Sequence, residues 1–84
     1  MEYKVLIKLY LPEIEQDYEL YIPVNKTISE VKEMLITAIN NITNGLYPIK
    51  NNFELFDRRS NIIYNNSDVV RNTNIRNGSE LVMF

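Results

Sequence analysis

The sequence predicts an α+β domain: a mixed sheet in ββαββ order, with a short fourth strand and one helix packed across it. Three observations predict it. Two runs near the N-terminus alternate apolar and polar residues, as half-buried strands do. One central run carries apolar residues at spacings of three and four, as an amphipathic helix does. Further alternating runs follow, the last of them "ELVMF".

The first run, "YKVLIKLYL", sets Tyr3, Val5, Ile7 and Leu9 on one face and Lys4, Leu6, Lys8 and Tyr10 on the other. Pro12 stops it, and "PEIEQD" is the connection. In "YELYIPV", Leu20 and Ile22 point one way, Glu19 and Tyr21 the other, so the two runs form a hairpin. Within "NKTISEVKEMLITAINNITNG", Ile28, Val31, Leu35, Ile39 and Ile42 form one helical face. Thr27 and Glu30 match the capping box, in which each side chain satisfies the other's backbone amide. Asn44-Gly45 supplies a left-handed C-terminal cap, and Pro48 bars continuation. "NFELFD" is a third strand, with Phe53 and Leu55 inward and Glu54 and Phe56 outward. "IIY" is a short fourth strand after the polar turn "DRRSN". The irregular stretch that follows offers Val69, Val70 and Ile75 as core anchors. In the fifth strand, Leu81 and Met83 face inward, Val82 and Phe84 outward.

A chain of 84 residues has room for one core, so residues 1–84 form a single domain. The net charge of −2 gives no concentrated basic face, which argues against a nucleic-acid partner. No cysteine or histidine is present. That excludes disulfides, thiolate chemistry and the usual zinc and iron–sulfur ligand sets. The acidic residues are scattered rather than gathered in an Asp-rich loop, so no metal or other cofactor is expected. Glu2, Lys4 and Lys8 interrupt the N-terminal apolar run, and no run nears the ~20 apolar residues of a membrane span. The expectation is a cytoplasmic protein with no membrane insertion. No enzyme is expected either: no nucleophile lies in an activating context, and two glycines make no phosphate-cradling loop.

The order and the motifs together resemble the ubiquitin-like β-grasp family. Thr27, Ile28, Val31, Lys32 and Leu35 follow that family's helix start, and "DVVRNTNIRNGSELV", with Ile75 and Leu81, resembles its closing segment. Ubiquitin-like modifiers and sulfur carriers need a flexible terminal Gly-Gly for activation, and this sequence stops at Phe84 inside a strand. Ile75, Asn77, Gly78, Ser79, Leu81, Met83 and Phe84 are instead similar to the closing segment of the YukD/EsaB type. Those are bacterial ubiquitin-like proteins associated with type VII secretion. Met83-Phe84 departs from that type's purely aliphatic end. The resemblance implies a non-conjugated accessory or regulator, and it implies no catalytic residues. The alternative is a modifier or sulfur carrier whose Gly-Gly lies beyond residue 84.

On the usual β-grasp layout the first and last strands are neighbours, with the third strand beside the last. Leu6, Phe56, Val82 and Phe84 would then gather on the face that the helix leaves open, with Tyr21 near its edge. Glu54, Lys4 and Lys8 would rim them. This is the expected protein-binding surface, for type VII secretion components or a second copy in a homodimer. Glu54 falls where ubiquitin carries the central isoleucine of its own patch, so ubiquitin's partners should bind poorly. Phe84 needs a cover, and Phe56 could supply it. A charge at Phe84 or Val82 is expected to abolish binding with little effect on melting. Arg58-Arg59 reads as a turn tip.

Overall fold

The computed structural model describes residues 3–47 and 52–84. Strand β1 (Lys4–Leu11) pairs antiparallel with β2 (Gln16–Pro23) along its whole length, Lys4 opposite Pro23 and Leu11 opposite Gln16. Helix α1 (Ile28–Ile42) follows, then β3 (Leu55–Asp57), a single 3-10 turn (Val70–Asn72), and β4 (Glu80–Met83). The sheet order is β2-β1-β4-β3. β4 runs parallel to β1 and antiparallel to β3, so the sheet is mixed, and the first and last strands are central neighbours. No helix among the described residues is long and apolar enough to cross a membrane.

The helix starts as its sequence requires. Thr27 Oγ1 accepts from the Glu30 amide at 3.2 Å, while Glu30 Oε1 accepts from the Thr27 amide at 3.0 Å. The Thr27 amide, and then the Thr27 hydroxyl, which also donates to Glu30 Oε1 at 3.1 Å, hold the Glu30 carboxyl below its ordinary range. The helix ends in a Schellman arrangement. The Gly45 amide donates to the Asn40 carbonyl and the Asn44 amide to that of Asn41. Asn44 and Gly45 both take positive φ (54° and 82°), and Gly45 does so without steric penalty. Pro48 and Glu2 lie outside the described residues.

One layer of apolar side chains joins helix and sheet. Ile28, Val31, Leu35 and Ile39 of α1 are buried, with Ile7, Leu9 and Leu11 of β1, Ile22 of β2, Leu55 of β3, and Leu81 and Met83 of β4. Val70 and Ile75 plug the layer from the segment before β4. Tyr47 is buried as well and stacks on Phe53, ring centroids 5.5 Å apart.

Four expectations need correction. The short fourth strand is no strand: Ile63 forms a single bridge to Phe56, flanked by bonds from Asp57 to Ile62 and from Tyr64 to Leu55. The bound pair of residues around it is too short to extend a ladder. Ile42 fits the helical period yet is 52% exposed, because it occupies the last turn. Tyr3 has the parity of Ile7 but precedes β1 and is 53% exposed. Val82 points outward as expected, yet it is buried, for reasons that lie on the open face.

Candidate interaction face of the sheet

Cross-strand partners share a face. The register therefore assigns every side chain on the side of the sheet away from α1. Leu6 lies opposite Tyr21. Lys8 lies between Glu19 and Glu80, and Tyr10 between Asp17 and Val82. Val82 in turn faces Phe56. Beyond β4, Phe84 and Glu54 exchange both backbone hydrogen bonds, at 2.8 and 3.1 Å, so pairing runs on to residue 84.

The five residues expected in one patch fall into two groups. Phe56, Val82 and Phe84 come together, and Tyr10 joins them. Phe56 and Phe84 meet edge to face, centroids 5.3 Å apart and planes at 87°. Leu6 and Tyr21 form a separate pair at the other end. Leu6 and Tyr10 are four residue steps apart along β1, about 13 Å of strand. Between the groups runs a charged row, Glu19–Lys8–Glu80. Glu80 also accepts from Arg59 at 2.9 Å.

Val82 is buried on the part of the face that Arg58 crosses. The Arg58 backbone amide donates to Glu80 at the edge of β4. Its side chain then crosses the sheet, stands 4.8 Å from the Tyr10 ring centroid, and reaches Asp17 on β2 at 3.5 Å. The small Val82 side chain lies between its cross-strand partners Tyr10 and Phe56, with Arg58 laid on Tyr10, and is only 6% exposed. Phe84 remains 45% exposed and Tyr21 65%. The turn after β3 is therefore more than a polar tip: its first arginine is a strap across the face.

The apolar block continues round the β3 edge. Phe56, Asn61, Ile63 and Phe84 line a hollow of about 220 Å3. Ile62 and Ile63 beside it are 52% and 59% exposed. Below, the Asp57 carboxyl is held under its ordinary range chiefly by the Ser60 hydroxyl, then by the Arg59 amide and the Asn74 side chain. Those bonds fix the turn that carries Arg58 and Arg59. Sequence reading missed Tyr10, although its parity with Leu6 placed it on this face. It also missed Asn61 and Ile63, which no periodicity could bring to β3. Among the described residues, no three His, Cys, Asp or Glu side chains gather as metal ligands.

No family model and no curated protein matches the chain. Solved structures do. A chain of the ESX-5 inner membrane complex superposes with a TM-score of 0.82 over 99% of this chain, at 12% identity. The protein spans about a fifth (21%) of that chain's length. The ubiquitin-like domain of an Arabidopsis thaliana protein gives a TM-score of 0.71 and 21% identity, with 99% of this chain and 78% of that one covered. The N-terminal ubiquitin-like domain of the 4931431F19Rik protein gives 0.72 and 13%, covering 100% and 76%. With a mixed four-stranded sheet, one helix packed across it and these superpositions, the chain has the ubiquitin-like β-grasp fold.

Proposed function

We propose that the protein is a ubiquitin-like protein-interaction domain, not an enzyme, that works unconjugated as a cytosolic accessory of a bacterial type VII secretion system. The observation that carries the interaction reading is the apolar block of Tyr10, Phe56, Val82 and Phe84. It lies on the sheet face opposite the helix and continues into the hollow beside Ile63. An aromatic centre with a charged rim is the composition of a protein interface core. The secretion reading is supported by the closing segment from Ile75 to Phe84, and by the fold likeness to part of an ESX-5 inner membrane complex chain.

The test is a pull-down from the host with N-terminally tagged protein, eluted in parallel under native and denaturing conditions. Secretion-machine components should elute natively and be lost with Phe84→Glu. Covalent ladders that survive denaturation would replace this reading with conjugation. Binding unchanged in Phe84→Glu would remove the sheet face as the site. Val82 is unsuitable for this test, because a charge there would disrupt a buried position.

A further inference from the structure

We infer that the outer flank of α1 is a second docking surface, for an amphipathic helix with basic residues beside its apolar stripe. This goes beyond the sheet-face reading and does not depend on it.

The flank has the form that helix packing needs. Met34, Ala38 and Ile42 make one ridge at i, i+4, i+8, and Glu33, Thr37 and Asn41 make the next. A shallow groove between them is lined by Glu33, Met34, Thr37, Ala38 and Asn41. Ridges at this spacing receive another helix at an interaxial distance of about 8–10 Å, and small residues at the crossing allow the nearer approach. Thr37 and Ala38 are the small residues in the middle. Met34 and Ile42, at its ends, are 48% and 52% exposed. Nothing in the hydrophobic core needs them there, and a β-branched Ile on open helix surface gains nothing from helix propensity.

Charge selects the occupant. Lys32 is the only base in α1, and its amine is engaged by the Phe53 carbonyl at 2.7 Å. Glu30 is taken up by the capping box at the positive end of the helix dipole, so Glu33 is the exposed charge at one end of the groove, and the last turn has no basic residue to offset the negative end of the dipole at the other. The flank is therefore negative at both ends. A second copy fits badly: antiparallel packing sets Glu33 against the other helix's negative terminus, and parallel packing sets Glu33 against Glu33. An anionic lipid surface would be repelled. A helix flanked by Lys or Arg meets opposite charge at both ends.

The experiment is an amide-shift NMR titration of the full chain with an 18-residue helical peptide carrying a Leu stripe and Lys flanks. The control peptide has the same stripe with Glu flanks. Saturable shifts centred on Met34, Thr37, Ala38 and Asn41 are expected, with affinity at least tenfold weaker for the Glu-flanked peptide. Thr37→Arg, at an exposed position with a better helix former, should keep the melting temperature and weaken the Lys-flanked peptide at least tenfold. Phe84→Glu should leave this titration unchanged, which separates it from the sheet face. No saturable shift, shifts centred on Phe56 and Phe84, or equal binding by Thr37→Arg would each overturn the assignment. Self-association that Thr37→Arg abolishes would overturn it in favour of a second copy.

Discussion

The contact between Phe56 and Phe84 should be measurable as a coupling energy. The two rings meet edge to face at 5.3 Å and 87°, the geometry in which a positive ring edge lies on a negative ring face. Replacing each by Leu keeps apolar bulk and removes that geometry. Phe84 is 45% exposed, so its own loss of burial is small, and the change from Phe to Leu should cost about 1 kcal/mol or less. The pair should add about 0.5–1.5 kcal/mol beyond area. A double-mutant cycle of Phe56→Leu and Phe84→Leu, read by urea denaturation, isolates it. The doubly substituted protein should therefore be less destabilised than the sum of the single ones by that amount. The backbone bonds between Glu54 and Phe84 persist in every corner of the cycle, so the register is held constant. Strictly additive losses, within about 0.3 kcal/mol, would refute the claim that Phe56 anchors residue 84.

Thr27→Ala should lower stability by about 1 kcal/mol, or roughly 4–8 °C in melting temperature, and Thr27→Ser should restore most of it. The Glu30 carboxyl is lowered in the folded protein, so its share is present above the ordinary carboxylate range and lost as pH falls through the folded value. The gap between wild type and Thr27→Ala should narrow there, and an unchanged gap in acid melting curves would count against the reciprocal cap. Val82→Lys should destabilise by about 3 kcal/mol or more, and Phe84→Lys by far less, in thermal melts. Equal losses would show that Val82 is not buried on the open face. The buried tyrosines should diverge on removal of their hydroxyls. Tyr64 donates to Asn74, so Tyr64→Phe should cost about 1 kcal/mol, whereas the Tyr47 hydroxyl is buried without a partner and Tyr47→Phe should be neutral or stabilising. Burial pushes both phenols up to about 12, so their stabilisation is complete below the unfolded value of 10 and lost as pH rises towards 12. Each Phe variant should show a shallower alkaline loss in a pH series of melts.

Much of the fold was legible because short-range rules decide it. Alternation placed β1, β2 and β4, and the helix was bounded by Thr27, Glu30 and Asn44-Gly45, which act within a few residues. The misreadings share a cause. Ile42 and Tyr3 have the right period but sit where an element outruns the opposing layer, and periodicity carries no information on where that layer stops. "IIY" has strand propensity, but only Ile63 finds a partner. On the candidate face, register could be inferred strand by strand, so Val82 and Phe56 were placed correctly beside each other. The offset between β1 and β4 depends on the long segment before β4, and it decides that Leu6 lies level with Gly78, whose amide donates to the Leu6 carbonyl, rather than with Val82. That segment is irregular, so no local pattern reports its length in space. Arg58 was missed for another reason: its long side chain crosses β4 and β1 to reach β2, and its destination is set by Tyr10 and Asp17, forty or more residues away in sequence.

The two surfaces differ in how their charges are balanced, and this sets what each can do. On the sheet face nearly every charge has an internal partner: Arg58 with Asp17, Arg59 with Glu80, and Lys8 flanked by Glu19 and Glu80. The pairs are exposed and each is worth little to stability, but they cancel the field of the face at a distance. A partner arriving there is selected at contact, by the shape of the Phe84 block and the hollow beside it. Arg58 adds a condition, since its guanidinium must shift from Tyr10 before a partner can reach that face of the Tyr10 ring. The α1 flank is the reverse. Glu33 makes no ion pair among the described residues, and its field extends over about a Debye length, roughly 8 Å at physiological salt. Encounter there is steered by charge and weakened by salt. Ionic strength therefore separates the two: raising it should slow association at the helix flank and leave the sheet face largely unaffected, or quicken it as the Arg58–Asp17 pair loosens.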